Sequence, residues 1–359
     1  MITFPKLLAI ITIALFGIIG TVALFKGDKK SKTPSPLSTP IEVELGNEMG
    51  VAVVKKTTLP KPALQAATTT KKDKTSAAKI AAQEPPSSSP PQTPITAEKT
   101  VALPNADRVD QLFNKKGPTL PIVETITYKS HVSWQKGRPA WLSDYASHYH
   151  TSRHFIARSL NGSPDYFKQD LAEGDRFNVL RLDKNIQFYA LIDISRCRLW
   201  LYYDDLSTHE RVLLKTYQIG LGRVDTAKAS GCLTPIGKYT LGNKIAIYKP
   251  KAMGKYHGQT VEMITVFGTR WIPFDKEVEA CSSPAKGFGI HGVPWIAKGS
   301  AEPVEDRSSL GKHQSDGCIR MASEDVEEFF AITITKPTTV ELVKDFFDAR
   351  TPSNITIIK

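Results

Sequence analysis

Cys318 stands in the run Ser315-Asp316-Gly317-Cys318-Ile319-Arg320-Met321, and two histidines, His291 and His313, lie upstream of it. A thiol attacks a carbonyl as thiolate, so it needs a base or a positive charge close by. His291 sits in its own glycine-flanked turn, Gly289-Ile290-His291-Gly292, 27 positions before Cys318. No single helix spans that interval, so folding must join the pair. His291 is the candidate general base. His313, five positions before Cys318, is the alternative, and on composition alone it is a solvated loop residue. Gly317 lets the backbone approach a substrate closely, and the amides of Gly317 and Cys318 are candidate donors to an oxyanion. Ser315 shapes the turn. Arg320 would hold a substrate carboxylate by its planar fork or make a structural ion pair. Trp295 is a pocket wall or a core residue, beside Gly292 on the binding side. These residue types are the ingredients of cysteine acyl transfer. A buried structural cysteine would explain neither the preceding glycine nor the upstream His-Gly turn. A closed zinc site wants four ligands at familiar spacing, and the sequence offers none, so no metal is expected.

The elements around these residues read as strands. Ile186, Phe188, Ala190, Ile192 and Ile194 alternate with a second face, Ser195-Arg196 turn, and Cys197, Leu199, Leu201 and Tyr203 resume the alternation. Val212–Ile219, Thr234–Leu241, Met263–Thr269 and Val340–Val343 are further strand candidates. One helix is expected over Ser323–Phe330, with Ser323 as its cap and Glu324, Asp325 and Glu327 near its N-terminus. This gives a mostly β domain over residues 185–346 and a tail over 347–359. Cys197 falls in a strand pattern as a core residue. Cys232 and Cys281 are candidate disulfide partners in an oxidising compartment.

Upstream the composition changes twice. Leu7–Phe25 is apolar and uncharged, long enough to cross a hydrocarbon core as a helix, so residues 1–25 read as an uncleaved signal anchor. Residues 26–118 are rich in Pro, Ser, Thr and Lys and poor in aromatics, and read as a disordered linker. Residues 119–184 form a small α+β module: a strand near Val123–Tyr128, a helix with Leu142, Tyr145, Ala146 and Tyr149 on one face, a second helix capped by Thr151 or Ser152, and a strand at Phe177–Leu182.

The site residues resemble the L,D-transpeptidase catalytic domain of the YkuD type. Its signatures are a Thr-Pro-x-Gly-x-aromatic turn, a His-Gly turn and a Ser-His-Gly-Cys block followed by a hydrophobic residue and Arg or Asn. Here they are Thr234-Pro235-Ile236-Gly237-Lys238-Tyr239, His291-Gly292 and Ser315 through Arg320, within about residues 186–344. Asp316 replaces the family's second histidine, and the interval from His291 to Cys318 is longer, with a charged stretch at 301–310. The small module is similar to a LysM glycan-binding module in its strand–helix–helix–strand order and its Gly174-Asp175 turn, but Lys136-Gly137-Arg138-Pro139 stands in place of that family's Gly-Asp-Thr-Leu opening, and an unrelated small α+β packing module is the alternative.

The resemblance implies a β-sandwich with a short helix. It implies attack by Cys318 on the third residue of a peptidoglycan tetrapeptide stem, loss of D-Ala, and a thioester resolved by a second stem to form a 3→3 cross-link. Water as acceptor would make an L,D-carboxypeptidase, a protein lysine would make a protein-to-peptidoglycan anchoring enzyme, and a decayed site would leave a non-catalytic wall-binding protein. It also implies a catalytic domain in the periplasm or cell-wall space, tethered to the inner membrane by the N-terminal helix. The formal net charge of +11 suits an anionic wall or membrane, and with no recognition motif present nucleic acid is not an expected partner. Oligomeric state is not legible from sequence.

Overall fold

The computed structural model describes residues 102–164, 171–247, 251–256, 258–297, 299, 302–334, 336–350 and 356–358. The apolar segment Leu7–Phe25 and the linker up to residue 101 lie outside the described residues, and no described helix is long and apolar enough to cross a membrane.

The small module begins with a short helix α1 (Asp110–Phe113), followed by β1 (Val123–Thr127), α2 (Leu142–His148), α3 (Arg153–Asn161) and β2 (Arg176–Leu180). The two strands pair antiparallel, Val123 opposite Leu180 and Thr127 opposite Arg176. The Ser152 hydroxyl caps α3 by accepting from the Phe155 amide at 2.9 Å, and it donates to the Ala331 carbonyl at 2.9 Å. One serine thus ends a helix and ties it to a neighbour 179 residues on.

The larger β region follows in chain order. It comprises β3 (Ile186–Asp193), β4 (Arg198–Asp205), β5 (Glu210–Gln218), β6 (Leu221–Gly222), β7 (Gly237–Leu241), β8 (Ile245–Ala246), the hairpin β9 (Met253–Tyr256) and β10 (Gln259–Glu262), the turn of helix α4 (Ile264–Phe267), and the long β11 (Arg270–Glu279). Then come β12 (Gly289–Gly292), the small hairpin β13 (Trp295–Ile296) and β14 (Val304–Glu305), β15 (His313–Ser315), β16 (Ile319–Met321), α5 (Ser323–Thr333), β17 (Thr338–Val343) and β18 (Thr356–Ile358). The main sheet runs β16-β12-β11-β7-β17-β3-β4-β5-β18, with β8 added beside β11. It curls: Gly220, just past β5, exchanges two 2.8 Å backbone bonds with Arg320 on β16 at the far end of the order.

The alternation read in β3 and β4 is the alternation of two buried faces. Phe188, Ala190, Ile192, Leu199 and Leu201 point into the main core with Phe329 and Phe330 of α5. Tyr189, Leu191, Trp200 and Tyr202 point the other way and are covered by Leu103, Ala106, Phe346 and Ala349. That covering corrects the linker boundary expected at 118. Residues 103–113 are packed, the Pro104 carbonyl accepting from the Trp200 indole at 2.7 Å and Val109 and Leu112 buried in the main core. Composition cannot show this, because the aromatic face they cover is distant in sequence. Nor do 119 and 184 mark breaks in packing: Ile122, Phe155 and Leu180 share one apolar cluster with Phe188, Leu201 and Phe329.

Three local expectations change. Met263–Thr269 is not a strand: an apolar run fits either period, and here Ile264 and Phe267 bury one side of α4 until Gly268, at φ 60°, ends it. Ser323 is the first residue of α5 and not its cap; the Glu305 carboxylate accepts its amide at 2.6 Å instead. All four cysteines are thiols. Cys232 and Cys281 are not joined, because each sulfur is turned to backbone oxygens of its own surroundings, Thr234 for the first and Lys238 for the second.

Candidate active site

Two short parallel strands bring the candidate residues together. On β12 and β16, Ile290 faces Ile319, His291 faces Arg320 and Gly292 faces Met321. Side chains alternate along a strand. Ile290, Ile319 and Met321 belong to the main core, so His291 and Arg320 project from the opposite face. Cys318 immediately precedes β16 and has their parity. Its thiol lies in a second apolar cluster with Ile247, Met263, Ile264, Phe267 and Trp271, rimmed by Tyr256 and Trp295. The His291 ring meets Phe267 edge-on at 5.5 Å and Trp271 at 6.0 Å. The thiol and the imidazole therefore share one aromatic wall.

The turn that carries Cys318 is braced by two hydroxyls. Ser315 Oγ donates to the Cys318 carbonyl at 2.6 Å and accepts from the Gly317 amide at 3.1 Å. Thr234 Oγ1 donates to the Gly317 carbonyl at 2.9 Å and accepts from the Gly222 amide at 2.7 Å. Gly317 has φ 121°, and a Cβ there would meet the Phe288 ring at 2.8 Å, so only glycine fits this bend. The bonds correct one expectation. The Gly317 amide is spent on Ser315 and is not an oxyanion donor. The Cys318 amide has no acceptor among the described residues and remains open.

Electrostatics set the resting state. His291 is 4 % exposed, and its Nδ1 lies 2.7 Å from the Gly292 carbonyl. A carbonyl only accepts, so Nδ1 carries the proton and Nε2 keeps its lone pair. Burial pushes the imidazole down to about 3, with the Gly292 bond opposing and Arg320 adding to the shift. Burial pushes the Cys318 thiol up to about 12, against smaller downward pulls from the Gly289 amide and the Arg320 guanidinium. The resting pair is therefore a neutral thiol and a neutral imidazole.

The other expected residues separate. Arg320 has no ion-pair partner among the described residues, and its buried Nε is unbonded. Trp295 lines the pocket and reaches Ser323 Oγ at 3.4 Å. His313 on β15 points Nδ1 at the Gly222 carbonyl, 3.1 Å away, and so bonds to β6. Asp316 points outward, paired with Arg223 at 2.6 Å with both side chains largely in solvent. The charged stretch anchors a hairpin beside the site: Glu305 caps α5, and Arg307 bridges Glu305 and Glu324.

Sequence reasoning missed Phe267, Trp271 and Tyr256. Tyr256 lies on the β9–β10 hairpin, its ring edge-on to Phe267 at 5.5 Å. Its phenol is raised first by burial and then by the nearby Cys318 and Asp316, with Arg320 opposing. No local pattern marks these three, because they come from a helix misread as strand and from segments bearing no motif.

Residues 187–342 match the family model of YkuD, the L,D-transpeptidase catalytic domain. The match does not reach the small module. No curated protein matches the chain. Among solved structures, the helical cell shape determining protein Pgp2 from Campylobacter jejuni is similar at 18 % identity and a TM-score of 0.30, over 45 % of this chain and 49 % of that one. Bd1075 from Bdellovibrio bacteriovorus is similar at 15 % identity and a TM-score of 0.28, over 44 % and 48 %. The chain thus spans about half the length of each, and at these scores neither likeness carries the argument further. The family match covers both strands of the site, and it is the segment from 187 to 342, under half of the chain, that is similar to the L,D-transpeptidase catalytic domain of the YkuD family.

Proposed function

We propose that the chain is a peptidoglycan L,D-transpeptidase that forms 3→3 cross-links through a thioester on Cys318. The observation that carries this reading is the oriented imidazole. With Nδ1 held by Gly292, the bare Nε2 of His291 lies on the same face and against the same aromatic wall as the thiol.

The steps then follow from the two neutral groups. Cys318 Sγ attacks the carbonyl of the third stem residue while His291 Nε2 takes the thiol proton. The negative charge that develops on the carbonyl oxygen meets the open Cys318 amide. Collapse expels the amine of the terminal D-alanine, which leaves with the proton from the imidazolium. The thioester remains. The side-chain amine of a second stem gives a proton to His291 and attacks the thioester, and the thiol is restored by that proton. Arg320, unpaired and on this face, is the group to receive the leaving residue's carboxylate. In this reading residues 1–25 anchor the enzyme to the inner membrane and the linker carries the domain into the cell-wall space.

The test is product analysis with purified tetrapeptide stems. Wild type should give cross-linked dimers and release D-alanine, and a carbapenem should add its mass to the peptide containing Cys318. Release of D-alanine without dimers would replace the acceptor amine by water. An adduct mapping to Cys197, Cys232 or Cys281 would refute the assignment of the nucleophile.

A further inference from the structure

Trp295 walls the pocket of Cys318, yet the element that carries it has little of its own to hold it there. The β13–β14 hairpin has two residues per strand, with Trp295 opposite Glu305 and Ile296 opposite Val304. Ile296 and Val304 are 41 % and 42 % exposed. A two-stranded pair this short, with one of its two side-chain pairs in solvent, is marginal by itself. The other pair supplies the attachment. Residues directly opposite in an antiparallel pair put their side chains on the same side, and here both meet one residue of α5. Glu305 accepts the Ser323 amide at 2.6 Å, and the Trp295 indole reaches Ser323 Oγ at 3.4 Å. The first bond is charge-assisted and takes up an amide of the first helical turn, which has no partner within the helix. The second is long for a hydrogen bond. α5 is a fixed reference, because Val326, Phe329 and Phe330 are buried in the main core. Glu305 also pairs with the Arg307 guanidinium at 2.7 Å, but that arginine is half-exposed, where such pairs contribute little.

We propose that Glu305 is a positioning residue: by fastening the hairpin to the N-terminus of α5 it holds the Trp295 ring as the wall of the Cys318 pocket, and so sets how tightly that pocket binds its ligand. Glu305 acts through Trp295. Cys318 and His291 are held separately, by β12, β16 and the hydroxyls of Ser315 and Thr234. Glu305 lies in the charged stretch that lengthens the interval from His291 to Cys318, so the added residues carry a fastening and not only a loop. That the ligand is a donor stem rests on the proposed function; the junction at Ser323 does not.

The experiment has two arms on the full chain. The first is the rate at which iodoacetamide labels each cysteine, mapped by mass spectrometry, and it needs no substrate. Cys318 should label about tenfold faster in Glu305→Ala than in wild type, because reactivity follows exposure. Cys197 and Cys232, buried in the main core, should stay slow in both. Glu305→Gln keeps an acceptor for the Ser323 amide and should label within about twofold of wild type. Trp295→Ala should label as fast as Glu305→Ala, and the double variant no faster, because both remove the same wall. The second arm is turnover of tetrapeptide stems. There Glu305→Ala should raise KM about tenfold, the worth of one ring contact, and leave kcat within about threefold. Unchanged Cys318 labelling or an unchanged KM in Glu305→Ala would overturn the proposal. So would additive effects in the double variant, or a Glu305→Gln that labels as fast as Glu305→Ala. Equal acceleration at Cys197 and Cys232 would overturn it too, since Glu305 would then hold the whole fold and not the wall. A wild type that turns over no stems, with this labelling pattern intact, would sink the enzymatic reading and leave the role of Glu305 at the wall standing.

Discussion

His291 and His154 make an instructive pair. One lies beside the Cys318 pocket and the other in the seam between α3 and α5. They are 4 % and 5 % exposed. Burial pushes both imidazoles down to about 3. His154 meets Phe330 edge-on at 5.1 Å, bonds to the Pro164 backbone and lies near Arg270. His291 meets Phe267 and Trp271 and shares their cluster with a thiol. A strongly shifted, buried histidine is therefore not by itself a catalytic signature. What separates the two is the neighbour: a sulfur on the same strand face in one case, a helix of the core in the other.

The comparison is broken most forcefully at Cys318, the proposed nucleophile. Cys318→Ser should abolish measurable turnover, because one imidazole activates a hydroxyl poorly. His291→Ala should lower the acylation rate by about 10²–10⁴, the usual contribution of a general base. His154→Phe should leave the rate per folded molecule unchanged within twofold. Stopped-flow acylation on the three variants decides this, and a large rate loss at His154 would erase the distinction.

The next effect is on stability and points the other way. Ser152 both caps α3 and bonds to Ala331, so Ser152→Ala should cost about 1–3 kcal/mol. The same loss would not follow from an isolated helix end. Urea unfolding measures it, and a cost below about 0.5 kcal/mol would mean that the seam is not held there.

Acid should then treat the two histidines alike. In the unfolded chain each takes a proton near pH 6.5, whereas in the folded chain each stays neutral to about 3. Between these values the unfolded state binds more protons. Stability is therefore complete above about pH 6.5 and falls as pH drops, by up to about 1.4 kcal/mol per pH unit for each histidine. Unfolding free energies measured from pH 7 to 4 should fall less steeply for His154→Phe than for wild type. Parallel curves would show that His154 is not held neutral.

How much of this was legible in the sequence depends on distance along the chain. Cys318, Gly317, Ser315 and His291 announce themselves through local glycines and turns, and β3 and β4 through strict alternation. The aromatic wall of Phe267 and Trp271 does not, because an apolar run of five residues fits a helix as well as a strand. The packing of Leu103, Pro104 and Ala106 against the Trp200 face, and the use of Glu305 to cap α5, are contacts between distant segments that no local pattern encodes. The oxyanion assignment failed at Gly317 for a related reason: its amide was claimed by Ser315, two residues away, in a geometry that only the folded turn reveals.

The smallest effect concerns Asp316, where the family has a histidine. Its position inside the turn of the proposed nucleophile suggests a catalytic consequence, but its side chain faces solvent with Arg223 while Ser315 and Cys318 on either side are buried. An exposed pair of this kind contributes little. Its charge acts on the thiol only as the last and weakest of the influences, raising it slightly. Asp316→Asn should therefore leave Tm within about 2 °C and change the acylation rate by less than about threefold. Because the removed charge is negative, the direction should be faster and not slower, with the thiol easier to ionise. Stopped-flow acylation of Asp316→Asn beside Arg223→Gln checks both points. A tenfold loss in either variant would mean that the outer side of this turn sets the geometry of the inner one, and the division between the two faces would fail.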